Sequence, residues 1–391
     1  MVPFRSHVPF LAYLTGVFFL NFLARIVLAP LMPTIEGDLN IGHATAGSLF
    51  FLISVGYFAG LLGSGLVSSR LTHRWTITLS LVAVGGSLLA VSLSHTLWGI
   101  RPALIMLGLS AGLYLPSGIA TLTDVVSSRD WGKALAVHEL AVILSFIAAP
   151  LLAEGLMIWF SWRWVVALLG GAAVFTGGLF IRFGSGGAFL GEAPSPKTIR
   201  VLLTQPSFWI MIALLSVAIG ANLGVYNMLP LYLVAEHGLE RSWANTLLAL
   251  SRVAGLGIIF LAGWAADRLG LKRAMGIVSL ATGMATTLLG IVPREWIIPV
   301  LFLQPVLSGS FFPAGLAALS KIGPPQLRNV AVSLIMPLAW LLGGGAIPAG
   351  IGIMGEEGFF SLGIMLVGVL LMGSIILLKY LTFYEDAIEK G

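Results

Sequence analysis

The sequence predicts an all-α membrane protein in which twelve transmembrane helices form two pseudo-symmetric six-helix bundles. Three observations lead there. Apolar residues make up 58% of the 391, charged residues only 9%, and glycine reaches 48, proportions that a water-soluble domain of this size does not carry. Uncharged runs of about 20 residues recur along the whole chain, each long enough to cross roughly 30 Å of hydrocarbon at about 1.5 Å per residue. A stretch at 184–205 that mixes Gly, Pro and charge separates two halves that echo each other.

Taken in order, the first run, 9–34, is too long for a secretory signal and carries Arg25, so it reads as a retained first helix. Runs at 45–68, 75–94, 102–125, 132–158 and 163–183 complete an N-terminal bundle, 1–183. The segment 184–205 is the cytoplasmic linker. Runs at 206–231, 243–266, 274–292, 297–320, 329–354 and 358–381 build a C-terminal bundle, 206–391. An even number of spans places both termini on one side. Fifteen of the 21 basic residues fall on that side, among them Arg70, Arg74, Lys133, Lys272 and Arg273, which makes it cytoplasmic. Only Arg101, Arg163, Arg241 and Arg294 lie opposite, so two basic residues, Arg25 and Arg252, are left inside the hydrocarbon layer.

The basic balance, pI about 9.6, is therefore topogenic, and no soluble basic domain exists to bind nucleic acid. The absence of cysteine excludes disulfides and thiolate metal sites. No Asn-x-Ser/Thr acceptor occurs, which favours a bacterial inner membrane over a glycosylating cell surface. There is no HExxH, no nucleophile elbow and no P-loop, since Gly184-Ser-Gly-Gly187 lacks the lysine a phosphate loop needs. No enzymatic activity and no cofactor are expected.

After the eighth run comes Gly263-Trp-Ala-Ala-Asp267-Arg268-Leu-Gly270-Leu-Lys272-Arg273; after the second comes Gly65-Leu-Val-Ser-Ser69-Arg70-Leu-Thr72-His73-Arg74. The offset is close to half the chain. This pattern, G-x-x-x-D-R-x-G-x-K-R, resembles the signature loop of the major facilitator superfamily. The second copy matches at every defined position, whereas the first keeps Gly65, Arg70 and Arg74 but has Ser69 and Thr72. Gly108-Leu-Ser-Ala-Gly112-Leu-Tyr-Leu-Pro116, Arg129-Asp-Trp-Gly132-Lys133-Ala134 and Ser161-Trp162-Arg163-Trp164 extend the resemblance over nearly the whole length. It implies the major facilitator fold, a monomer, and alternating access, two bundles rocking about a midplane site. An Asp at a helix end beside a tight Gly turn can latch one conformation, which makes Gly263, Asp267, Arg268, Gly270, Lys272, Arg273, Arg70 and Arg74 gating candidates. Plain topogenic charge is the alternative.

Arg25 and Arg252 each lie about nine residues from the outer end of their spans, about 13 Å below the interface. A guanidinium keeps its proton and is costly at mid-membrane, so it faces water, a counter-ion or a cargo. An anionic cargo suits the planar donor fork, which matches a carboxylate bidentately. Asn21-Phe-Leu-Ala24-Arg25 with Pro30 and Pro33 resembles the first helix of the anion-cation symporters, where the arginine contacts the substrate carboxylate; Ala24 stands where those carriers usually have an acid. Arg252 is similar in place to the eighth-helix arginine of monocarboxylate and oxalate carriers. In the resembling fold the two helices belong to opposite bundles and border the central cavity, so one anion could bridge both. The competing reading makes both arginines structural struts held by helix carbonyls and buried acids.

Asn21, Tyr57, Tyr114, Asn222, Tyr226, Asn227, Gln304 and Trp340 are mid-span polar or aromatic residues suited to line a cargo pocket, with ordinary packing as the alternative for each. Glu139 in the fifth run is the acid best placed for proton coupling. His138 is the second coupling candidate, although it points about 100° away from Glu139 on a strip with Ala141, Ser145 and Ala149 that suits close helix packing, so a packed, hydrogen-bonded residue is the alternative. The expectation is a secondary transporter for a small organic anion, a mono- or dicarboxylate, coupled to protons or to exchange. The rivals are a drug/proton antiporter, of whose fifth-helix pattern only Pro150 survives, and a non-transporting membrane sensor or scaffold.

Overall fold

A computed structural model describes residues 4–191, 200, 202–255, 257–323 and 328–384. The chain is helical throughout: α1 (Phe4–Leu39), α2 (His43–Ser68), α3 (His73–Leu93), α4 (Leu97–Val125), α5 (Ser128–Met157), α6 (Trp162–Phe183), α7 (Pro206–Ala235), α8 (Arg241–Ala254), α9 (Ile258–Leu269), α10 (Leu271–Leu289), α11 (Arg294–Leu319), α12 (Val330–Glu356) and α13 (Phe360–Lys379). Among the described residues there is no strand, only one antiparallel bridge between Thr72 and Leu190.

Ten of these helices are long and apolar enough to cross a membrane. The other three cover the expected eighth and ninth runs. In the eighth, α8 ends at Ala254 and α9 starts at Ile258, with Gly255 and Gly257 in turn conformation, and α10 opens on the charges of Lys272 and Arg273, so among the described residues neither run provides an uninterrupted apolar segment of the required length. Glu240 caps α8: its carboxylate accepts from the amides of Ser242 (3.0 Å) and Trp243 (3.1 Å) and from the Ser242 hydroxyl. Those bonds, the Ser242 hydroxyl first, hold the carboxyl below its ordinary range.

The helices gather into two compact units, residues 1–40 with 52–193 and residues 41–51 with 194–391. In the first, α2 and α4 approach backbone to backbone. Gly56 and Gly60 face Gly108 and Gly112, and a Cβ added at Gly108 would fall 1.9 Å from the Ile53 carbonyl. The spacing small-xxx-small on both helices is what lets them touch, and dispersion then acts over the whole crossing. Residues 184–191, expected as linker, fold back onto this unit. The amide of Arg74 donates to Gly187 O (2.8 Å), that of His73 to Phe189 O (3.1 Å) and that of Gly191 to Ser68 O (2.8 Å). Gly186 and Gly187 take φ of 72° and 67°, a left-handed turn that side chains resist. Residues 192–199 and 201 of the same segment lie outside the described residues.

In the second unit two helices carry π-turns, Gly220–Gly224 in α7 and Leu341–Ala346 in α12. They pack on each other through glycine, since a Cβ at Gly343 would lie 2.4 Å from Ser216 O and one at Gly224 2.6 Å from Gly343 O. The N-terminal end of α2 joins this unit, with the Ala44 amide donating to the Glu356 carboxylate at 3.2 Å and Gly47 against the Pro348 carbonyl.

Gly108→Ala is expected to lower stability by about 1–3 kcal/mol through overpacking, whereas Gly171→Ala, where an added methyl meets nothing within 4 Å, leaves it unchanged. Thermal unfolding followed by intrinsic tryptophan fluorescence separates the two.

Candidate functional site

In the first unit the site is organised by a break in α1. Pro30 has no N–H and its ring crowds the carbonyl four residues back, so the helix is interrupted at Val27, between Val8–Ile26 and Leu28–Leu39. Arg25 occupies the last turn before the break and is 7% exposed. Its guanidinium carbon sits 4.0 Å from the centroid of Tyr57 and 4.7 Å from that of Phe22. Cation–π contacts of this kind strengthen as water is excluded. Tyr57 is held there by the glycines on either side, Gly56 and Gly60, which fix α2 against α4.

Asn21, one turn before Arg25, is spent on packing: its amide donates to Ser80 Oγ (3.2 Å) and Ala111 O (3.4 Å), tying α1 to α3 and α4. Tyr114 lies beside a second proline break, at Leu113 ahead of Pro116, and is fully buried. Its hydroxyl contacts Leu14 O at 3.0 Å and His138 Nε2 at 2.9 Å. His138 is enclosed, while the adjoining Glu139 is exposed, with Oε1 3.6 Å from His138 Nδ1. The Glu139 carboxylate is within electrostatic reach of both Tyr57 and Tyr114. Arg25 with Tyr57, and Glu139 with His138 and Tyr114, are thus two polar contacts inside the first unit.

In the second unit the π-turn of α7 supplies the geometry. A π-turn widens the helical hydrogen-bond ring and leaves carbonyls available to other donors. Arg252 Nη2 donates to Asn222 O and Nη1 to Asn222 Oδ1, both at 3.0 Å, so one residue receives both arms of the guanidinium fork. Gln304 Nε2 donates to Ala221 O (2.7 Å) and to Thr286 Oγ1 (3.2 Å). Arg252 is 8% exposed, and its guanidinium carbon lies 4.9 Å from the Tyr226 ring centroid. Asn227 donates to Gly344 O in the facing π-turn at 3.5 Å, a long bond. Trp340, half-buried, directly precedes that turn in α12.

Both arginines therefore share a pattern, burial against a tyrosine ring next to a helix irregularity. Arg252 is in addition tied to protein oxygens, as the strut reading requires. Sequence reasoning missed Phe18, Phe22 and Thr286. Phe18 and Phe22 were recoverable, because with Arg25 they stand at i, i+4 and i+7 on one helical face. Thr286 had no such signal, since its role depends on where Gln304 falls in space.

Of the gating candidates, Gly270 has φ 81° between α9 and α10, the conformation for which glycine is needed, and Gly263 has open space around it. Asp267, Lys272 and Arg273 form no ion pair among the described residues, and Asp267 is exposed; Arg268 packs over Trp264 (4.3 Å) and Lys272 over Phe383 (5.3 Å). In the first copy Thr72 takes the turn position as an N-cap for α3, and Arg74 Nη2 donates to Ile181 O at the end of α6 (2.7 Å), while Arg70 is exposed.

Comparison with known proteins agrees with this architecture. The family model described as Major Facilitator Superfamily matches residues 14–348. Multidrug resistance protein MdtL of Escherichia fergusonii is 25% identical over 368 residues, covering 90% of this chain and 89% of that one, and MdtL of Escherichia coli K12 is 24% identical over the same length. A bacterial homolog to the human lysosomal transporter Spinster, in its inward-facing and occupied conformation, superposes with a TM-score of 0.81 at 16% identity over 99% of both chains. A peptide transporter POT in complex with sulfate gives 0.77 at 12% identity over 95% of this chain and 93% of that one. These likenesses and the helical architecture agree with the family model, and the chain belongs to the Major Facilitator Superfamily of membrane transporters.

Proposed function

We propose that this transporter carries a small organic anion, a mono- or dicarboxylate, with Arg25 and Arg252 as the binding cations, one in each unit. The observation that carries this reading is permanent positive charge buried in the spanning helix α1 and in α8 and set against aromatic rings. Such charge is costly in a membrane protein and is ordinarily kept for a function. A carboxylate is the mobile partner that offsets it, and Tyr57, Phe22 and Tyr226 supply apolar surface for the body of the molecule. Asn222 holds the Arg252 fork in plane. Energy comes from protons through Glu139 or from exchange of one anion for another. The loop around Asp267 acts as the latch between carrier states. The working arrangement is a monomer in a bacterial inner membrane with both termini cytoplasmic.

A second reading, efflux of small lipophilic compounds, is favoured by the relatives named multidrug resistance protein at 24–25% identity. The two readings differ in the sign of the preferred cargo, because buried guanidinium groups repel lipophilic cations.

A thermal-shift panel of small carboxylates, phosphate esters and lipophilic cations distinguishes them. A ligand at a hundred times its Kd adds about 2.7 kcal/mol to apparent stability. Carboxylates are expected to stabilise the protein, and Arg25→Ala or Arg252→Ala to remove that stabilisation and the corresponding uptake into proteoliposomes. Stabilisation by lipophilic cations alone establishes the efflux reading instead. Asn222→Ala, which frees the Arg252 fork, is expected to weaken the same carboxylate by about tenfold, equivalent to about 1.4 kcal/mol, in a direct titration.

A further inference from the structure

The imidazole of His138 has a hydrogen-bonding environment that changes with a single proton. Its ring lies 4.5 Å from Phe18 at 8° and that of Tyr114 lies 5.2 Å from Phe18 at 14°, so Phe18 covers both rings in a near-parallel stack. His138 has no exposed surface, and its Nδ1 is buried without a hydrogen-bond partner, facing Glu139 Oε1 across 3.6 Å. On the other edge, the Tyr114 hydroxyl is in contact with two groups at once, His138 Nε2 at 2.9 Å and the Leu14 carbonyl at 3.0 Å.

A phenol has one proton to donate, and a backbone carbonyl can only accept. If Tyr114 donates to Leu14, its oxygen must accept from His138, and Nε2 carries a proton. Nδ1 then faces a carboxylate, and a bare nitrogen lone pair there is repelled. Both contacts are favourable together only when Nδ1 also carries a proton. The neutral ring has a different best arrangement: Nδ1–H points to Glu139 and Tyr114 turns to donate to the bare Nε2, leaving Leu14.

We propose that His138 is a one-proton site whose occupancy sets the direction of the Tyr114 hydroxyl, and that through Leu14 it reports proton binding to α1, the helix that carries Arg25. One proton is added to the bare Nε2, the imidazole becomes an imidazolium with both nitrogens donating, and the Tyr114 hydroxyl swings from Nε2 to the Leu14 carbonyl while its oxygen accepts from the new Nε2–H. No other bond is made or broken. Phe18 stabilises the charged ring through its face. Leu14 lies about three helical turns before Arg25, so both are on one side of α1. Tyr114 and Glu139 are the titratable groups next to the ring. Tyr57, which bears on the Glu139 carboxylate, and Arg25, which bears on Tyr57, form the next layer. α6 bears its arginines, Arg163 and Arg182, at its two ends. The use of this proton in transport rests on the proton-linked reading above; its existence does not.

Nitrogen-15 NMR of histidine-labelled protein in detergent, across the pH range in which it stays folded, tests the site without any cargo. One of the six histidines is expected to lose a proton as pH rises and to retain the other on Nδ1, the tautomer that free histidine disfavours. His138→Gln assigns the signal. Glu139→Gln, at an exposed position, identifies it independently by requiring a higher proton concentration for the second proton. Tyr114→Phe keeps the ring stack and the Glu139 contact, and is expected to leave the neutral form protonated on Nδ1 while the Nε2 signal moves to that of a nitrogen without a hydrogen-bond donor. A His138 that holds a single proton on Nε2 at every pH, or a signal indifferent to Glu139→Gln, overturns the proposal. If the NMR result holds but uptake in proteoliposomes is independent of a proton gradient, the site stands and the coupling reading falls.

Discussion

Every polar group in a membrane-spanning segment has to find its partner inside the protein, because hydrocarbon supplies none. The construction of both halves of this chain depends on that constraint. Where the helix is regular, the backbone satisfies itself and the surface can be apolar. Where it is interrupted, at Pro30, Pro116 and the π-turns of α7 and α12, carbonyls become available, and the polar side chains collect there. Arg252 and Gln304 take the carbonyls of Asn222 and Ala221, and Asn227 reaches Gly344. Arg25 sits at the α1 break. The irregularities therefore position these polar groups, and glycine makes them possible by allowing α2 to touch α4 and the two π-turns to touch each other.

The strut and cargo readings of the arginines are less opposed than they look from sequence alone. A guanidinium has five donors in one plane. Asn222 engages both terminal nitrogens of Arg252 without neutralising its charge, so the group is oriented and still positive. Arg25 is oriented by rings, which attract the cation and likewise leave the charge in place. Preorganised charge is what a carrier needs if cargo is to be recognised without reordering long side chains on each cycle.

Much of the fold was legible in the sequence for a simple reason. Apolar run length and the placement of Lys and Arg are set by the bilayer, a solvent with fixed dimensions, and Gly270 could be read from its turn. The eighth and ninth runs were the least regular because Gly255, Gly257, Lys272 and Arg273 interrupt them, and a count of apolar residues does not register where a helix breaks. At the site, Arg25, Arg252, Asn222, Gln304 and Glu139 stood out as polar residues in apolar context. What they touch did not. The pairing of Tyr114 with His138 across 24 positions, the use of Asn21 in packing against Ser80, and the folding of Gly184–Gly191 onto α3 are properties of three-dimensional arrangement, which periodicity on one helix does not encode. His138 is enclosed and Glu139 exposed, about 100° apart on the helix, yet the ring nitrogen still faces the carboxylate, because side-chain reach is comparable to the helix radius.

The central claim, that buried guanidinium groups create positive potential where a water-borne anion can arrive, is open to a direct measurement because the chain has no cysteine. Single substitutions Tyr57→Cys and Tyr226→Cys place a thiol beside Arg25 and Arg252 in turn, and the reaction rates of a sulfonate-bearing and a trimethylammonium-bearing methanethiosulfonate are compared with those of a free thiol in solution. The account predicts that the anionic reagent is favoured at both positions and that replacing the neighbouring arginine by alanine abolishes the preference. Thiols that neither reagent reaches, or that the cationic reagent modifies faster, would contradict it.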